Sequence, residues 1–527
     1  MSATNTNKFM LNTRLLLILV VALLLAASVN AAAPGITGPN FSLIAQPAYL
    51  NQPDGSSVYS WGYGCNGAPS GFAPTMTNQN CPSMQVPGPT LIVTEGSTVT
   101  VTLTNGLPVS AGNTSILFPG FNVTATGGVP GLLTTEAAPG GTVTYTFTAS
   151  TPGTHSYYSG TQGDLQIEMG LYGAIIVLPA NVPTQCTAGL HAANVTAEQH
   201  WGERTDFRLA AAAYDHPATC YDREYLFQFA EMDSNIHRQA EAQVNTAAQY
   251  CASGPTTPGC SLNVPTEPYH PAYFVINGRS MPDDMDGNYA PEYPHQPYNG
   301  NPHMHPGEQV LLRVIGQGRW EHPFHEHANH VRILARDGHL LLTPDGQALS
   351  GILMFTTDTF PGQAFDGLFY FTGRGLNWDM YAHNPGSSET NAKLPCTPDA
   401  NGYNTGAPTA INFWEWCQDH NKPLQVAPFG DVAAGGPATL PDPNILTYGA
   451  WFSGSPYLGP DATTRATGPN SVYQPSNTQA NPASERGFAF MWHSHNEREI
   501  TTNNVFPGGM LMMMLVDSRE FVIDESN

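Results

Sequence analysis

The sequence predicts an all-β protein built from two successive barrels or sandwiches, and three observations carry that expectation. Thr, Val, Tyr and Phe recur in short runs between turn formers, and the 52 Gly and 46 Pro of the 527 residues suit tight turns better than a helical bundle. Val99, Val101 and Leu103 alternate with threonines, as a half-buried strand requires, and Val143, Tyr145 and Phe147 repeat the pattern. The stretch 174–178 is continuously apolar, which fits a strand covered on both faces.

Taken in order, Lys8 and Arg14 precede an apolar run over 15–27 and the small-residue sequence Val29, Asn30, Ala31, which predicts a secretory signal peptide over 1–31. The run is too short to span a bilayer comfortably, so the protein is expected to be exported to an extracellular or periplasmic space without a membrane span. Residues 32–180 read as the first β domain. Residues 181–221 lose periodicity and read as a connector tied down by Cys186 and Cys220. A second domain over 222–527 opens with a strand near 225–229 and an Ala- and Gln-rich helix capped by Asp233 or Ser234, expected to decorate that domain's barrel. Strand-like runs follow near 273–277, 310–315, 331–334 and 368–371, and again near 488–495 and 510–516. Between them lies a Pro-, Gly- and Asn-rich insertion over about 383–485, long enough to serve as a lid or an interface.

The formal charge of −23 argues against nucleic-acid binding, which needs clustered Lys and Arg, and suits a cationic partner such as a metal ion or simply a soluble exported chain. Eight cysteines lie beyond residue 31, none in a CxxC pair; an even count in an exported chain predicts disulfides, with Cys251 and Cys260 the easiest to close. None lies beside the C-terminal histidines, where a thiolate could have bound metal.

Chemistry concentrates in His322, Pro323, Phe324, His325, Glu326, His327, with His330 following, and in His493, Ser494, His495. Strand residues two apart share a face, so His325 with His327 and His493 with His495 each offer two imidazoles to one side; adjacent strands would join them. Neutral imidazoles suit copper, zinc, iron and nickel. Glu326 falls on the opposite face, whereas Glu497 and Glu499 continue the phase of His493 and His495 as candidate ligands, partners of an imidazole or proton shuttles. His303 and His305, among Pro and Asn, read as a loop.

These motifs resemble those of the multicopper oxidases. Residues 322–327 are similar to that family's HPxHxH motif, and 492–495 to its C-terminal HCH motif with Ser494 replacing the cysteine. Pro87, Gly88, Pro89, Gly96 and Asn105, with GTHSYYSG over 153–160 and GLYGAIIV over 170–177, resemble the family's first domain. The resemblance implies tandem cupredoxin-like Greek-key β-barrels, and it covers most of the chain beyond residue 31 apart from the connector and the insertion. Departures from the family pattern are as informative. The first-domain ligand positions read Leu117, Phe118, Pro119, Gly120 and Tyr158, Ser159, Gly160. At the blue copper position Ser494 replaces the thiolate and Glu499 the second imidazole, so that only His322 remains, with Met510 near the axial position.

The resemblance therefore implies an oxidoreductase of reduced copper content without a blue type 1 site. The expected metal residues are His322, His325, His327, His493 and His495, holding one copper ion, or two, with zinc, iron or manganese as alternatives. Glu497, Glu499 and Tyr158 are the catalytic candidates, Tyr158 as gate, electron relay or space filler. Partners would be a small reductant and oxygen, and two-domain relatives in this family commonly form trimers. The competing expectation is a non-catalytic metal-binding or scaffold protein.

Overall fold

The alternating segment 98–105 becomes the strand Thr98–Asn105, with Val99, Val101 and Leu103 fully buried and the threonines turned outward. It pairs with Thr142–Thr148 in register, Leu103 opposite Val143 and Val101 opposite Tyr145, so both strands bury the same face. The computed structural model describes residues 33–76, 78–203, 208–374, 397–418, 454–457 and 486–523, and the expected signal peptide lies outside them. In it these strands belong to a sheet ordered Ser57–Cys65, Asn40–Asn51, Thr98–Asn105, Thr142–Thr148, Thr124–Gly127. A second sheet, ordered Gly153–Tyr158, Tyr172–Leu178, Leu91–Thr94, Gly35–Thr37, Phe72–Ala73, covers it. Trp61, Tyr145, Tyr157 and Ile175 help fill the core between them.

The C-terminal half forms another sandwich. Its inner sheet runs Tyr273–Ile276, Arg223–Met232, Gln309–Gly316, Ala364–Tyr370, Val331–Arg336, His339–Leu340, with Leu353–Met354 also on Val331–Arg336. Its outer sheet runs His303–Met304, Leu511–Asp517, Arg486–Ser494, His322–Glu326, Thr356–Thr359. Phe227, Phe229 and Val314 of the first meet Phe324, Trp492 and Met512 of the second in the core. Gly454–Tyr457, from within the expected insertion, pairs with Arg486–Ser494 and so returns the chain to the sheet that carries the C-terminal histidines.

The apolar segment 174–178 lies where two sandwiches meet. Ile175 and Val177 point into the first core, whereas Ala174 and Ile176 pack with Leu226, Ile315 and Ala364 of the second sandwich. Polar bonds fix this junction: the Thr154 hydroxyl donates to Asp366 Oδ1 at 2.6 Å, and Gln317 Nε2 donates to Gly173 O at 3.0 Å. Buried hydrogen bonds of this kind set a unique relative placement of two apolar faces.

Two expectations need correction. The connector is not irregular throughout, because Gly189–Trp201 is helical, although the Cys186–Cys220 disulfide does tie its ends. The second helix, Ser234–Cys251, is capped by Asp233, but it packs on the N-terminal sandwich rather than on its own. Its Ile236 and Ala240, one turn apart, enter the first core, and His237 Nδ1 lies 2.6 Å from Tyr59 O. Periodicity shows that a helix has an apolar stripe but not which sandwich receives it. Disulfides also join Cys65 to Cys81 and Cys251 to Cys260. Among the described residues no helix is long and apolar enough to cross a membrane.

The Asp233 carboxylate accepts from both Asn235 N and His270 N at 2.8 Å. Asp233→Ala removes a helix cap and strands a second amide, so urea unfolding should show a loss of about 1–3 kcal/mol.

Candidate metal centre

The geometry of the site follows from one register. His322–Glu326 and Arg486–Ser494 pair antiparallel with His325 opposite His493 and Phe324 opposite Ser494. Odd-numbered residues of both strands therefore face away from the core, while Phe324 and Trp492 fill it. His495 N donates to Pro323 O at 2.7 Å and extends the pairing past the strand end.

Four imidazoles meet on that outer face. Ring centroids of His325 and His327 are 4.9 Å apart, His325 and His493 5.3 Å, His325 and His495 4.7 Å, and His327 and His493 5.3 Å. The donor nitrogens of His325, His327 and His493 lie within 4.8 Å of one another, close enough to share a metal ion. These three are buried, whereas the His495 side chain is 51% exposed with Nδ1 3.6 Å from Glu497, itself exposed. His495 thus stands at the solvent edge of the group.

Neighbouring groups orient the rings. His493 Nδ1 lies 2.7 Å from Ser494 O; a carbonyl only accepts, so Nδ1 donates and Nε2 keeps its lone pair. His325 Nδ1 is 2.6 Å from the Thr356 hydroxyl, and Phe355 sets its ring edge-on to His325 at 5.8 Å. Trp492 Nε1 donates to His327 O at 3.0 Å, tying the turn to the core. Ala328, next in sequence, has φ of 82°, a left-handed conformation costing alanine about 1 kcal/mol, held while the chain turns away after His327. Burial, then the crowding of His327, His493 and His495, pushes the His325 pKa down to about 3, so its ring is neutral. Neutral, convergent imidazoles fit a soft or borderline transition-metal ion.

His322 and Glu499 are not in this group. Both lie on the core side, with His322 Nδ1 2.9 Å from Glu499 Oε2 and His322 Nε2 3.0 Å from Glu231 Oε2, all buried. The Ser494 hydroxyl donates to Glu499 Oε2 at 2.5 Å. Glu499 departs from the expected phase because the strand ends at Ser494 and a turn intervenes. Glu231, which completes the arrangement, had no sequence signal, being ninety-one residues away within an ordinary strand. Glu326 lies on the core side as expected, with Thr357 donating to it, and burial pushes its carboxyl well above the usual range.

Tyr158 is half-buried at the junction of the sandwiches, where it lines a small cavity of about 150 Å³ with Ile167, Gln317 and Pro361. None of the four histidines lines that cavity. At the other first-domain positions Phe118 packs among Tyr145, Phe147 and Tyr157, and Ser159 donates to Gln166 Oε1. His303 and His305, expected in a loop, are instead buried at a short strand. His305 Nε2 is 2.7 Å from Glu203, which with Glu308 forms a second group of potential ligands. Arg223 donates to both carboxylates, so a guanidinium already supplies the positive charge there.

Residues 76–182 match the family model of the multicopper oxidases. Over 125 residues the chain is 37% identical to "Multicopper oxidase MCE" of Talaromyces pinophilus, covering 23% of this chain and 19% of the relative. Over 98 residues it is 36% identical to an L-ascorbate oxidase of Brassica rapa subsp. pekinensis, covering 18% and 16%. Among solved structures, a blue copper oxidase from Nitrosomonas europaea aligns with TM-score 0.43 at 15% identity, over 90% of this chain and 85% of that one. Residues 76–182 thus resemble a multicopper oxidase domain. The matched stretch spans about a fifth of the length of the curated relatives, and the histidine pairs lie outside the residues of the family model.

Burial alone would lower the His322 pKa, but hydrogen bonds and attraction from Glu231 and Glu499 raise it to about 9. A raised folded pKa adds stability that is complete below the unfolded value of about 6.5 and is lost as pH climbs through about 9. Urea unfolding from pH 6 to 10 should therefore show roughly 3 kcal/mol of loss from this group, and His322→Gln should flatten that dependence.

Proposed function

We propose that the protein is an exported copper-binding oxidoreductase related to the multicopper oxidases, of reduced copper content and without a blue type 1 centre. The observation that carries this reading is the convergence of His325, His327 and His493 on one face, with His495 at its edge. Copper bound there would supply one-electron redox chemistry at an imidazole-ligated centre.

The protein's own residues set what such a centre can do. Thr356 and the Ser494 carbonyl fix ring orientation, so the nitrogens are aimed before metal arrives. The exposed edge at His495 leaves a route for a small reductant or oxygen, and Glu497 there could take up or release a proton. A hydroxyl is a poor replacement for thiolate, and Ser494 is engaged with Glu499, so fast electron transfer through a blue centre is not part of the reading. One- or two-electron oxidation of a small reductant, with oxygen as acceptor, suits a site of this size.

A second reading, a non-catalytic metal-binding scaffold, draws support from the first domain, where aromatic core residues occupy the family's ligand positions. Oxygen consumption by copper-loaded protein with a panel of reductants separates the two. The oxidase reading expects turnover that His493→Ala/His495→Ala abolishes together with copper retention. Identical rates in both proteins would dismiss it. Thr356→Val, which removes the hydroxyl beside His325 Nδ1, should lower copper affinity about tenfold in a competition titration while leaving the stoichiometry unchanged.

A further inference from the structure

We infer that His322 is the positioning residue of the histidine cluster, clamped between Glu231 and Glu499 so that it holds the turn bearing His495, rather than a ligand to the metal. The inference rests on the metal-site reading above.

The argument is one of donors and acceptors. A neutral imidazole has a single N–H, and a carboxylate only accepts. Glu499 already accepts from Ser494 and Asn496 and Glu231 from two backbone amides, as ionised carboxylates do; both His322 nitrogens face their oxygens, at 2.9 Å and 3.0 Å, so the ring donates twice. One cation then bridges both carboxylates in a region closed to solvent, since His322, Glu231, Glu499 and Ser494 are all at most 2% exposed. No other cation faces the pair among the described residues: the Arg319 guanidinium turns to Glu267 and the Tyr269 ring, and Tyr269 donates to Glu231 and Glu168.

The clamp reaches the cluster from both ends. Glu231 Oε1 accepts Arg319 N at 2.7 Å and Trp320 N at 2.9 Å, fixing the entry to the strand of His325. Glu499 accepts from the Ser494 hydroxyl at 2.5 Å and from Asn496 Nδ2 at 2.9 Å, the two residues flanking His495. Breaking a buried bridge of this kind leaves uncompensated charge, so the native arrangement is strongly selected over alternatives. A metal ion ligated by His322 would have to displace a proton from one of these bridges.

The test uses the full chain with zinc as a diamagnetic probe and copper as a spectroscopic one. Nitrogen-15 spectra at pH 8 should show His322, assigned by its loss in His322→Gln, protonated on both nitrogens with and without zinc. Ser494→Ala keeps the ion pairs but removes the shorter of the two bonds from Glu499 to the turn; it should weaken copper binding about tenfold and alter the copper(II) electron paramagnetic resonance spectrum. A neutral His322, a His322 signal that moves on zinc binding as a ligand would, or a Ser494→Ala protein with unchanged affinity and spectrum overturns the inference. His493→Ala keeps the failures apart: if it loses copper while Ser494→Ala does not, only the positioning role falls; if it binds copper as the wild type does, the cluster reading falls with it.

Discussion

Everything at the candidate site depends on the antiparallel pairing that sets His325 opposite His493. A slip of one residue by either strand would turn that strand's imidazoles into the core and bring its core-facing side chains, Phe324 and Glu326 or Ser494, to the outer face. The pairing is therefore held by the core as much as by its own hydrogen bonds. Phe324 and Trp492 pack edge to face at 6.0 Å beneath the histidines, and Trp492 also receives Phe227 and Phe369. Moving either strand would open that aromatic contact.

The same two strands carry two chemistries back to back. Outward, four imidazoles crowd together, the buried His325 neutral among them. Inward, one imidazole lies between two carboxylates, and Ser494 is drawn into their hydrogen bonds. Strand alternation puts the two within a few residues of each other without letting them share ligands. In the first sandwich Phe118 packs tilted on Phe147 at 4.9 Å, and aromatic rings fill the space around it.

Most of the fold was legible because alternation is a local signal. Residues 98–105, 143–147 and 174–178 announce their burial patterns in their own composition. The four-histidine group was legible for the same reason, since two HxH pairs on strands can only face one way each. What escaped depends on long-range packing. The docking of Ser234–Cys251 on the other sandwich, the helix Gly189–Trp201 and the burial of His303 and His305 each depend on a partner distant in sequence. Glu231 is the clearest case, an acidic residue in an apolar strand whose role exists only once His322 is folded against it.

Diffraction from copper-soaked crystals, with anomalous differences collected on both sides of the copper absorption edge, tests the account most directly. It predicts a copper peak among the rings of residues 325, 327 and 493 and none beside His322. A peak at His322, or no peak at the three rings at saturating copper, would contradict it.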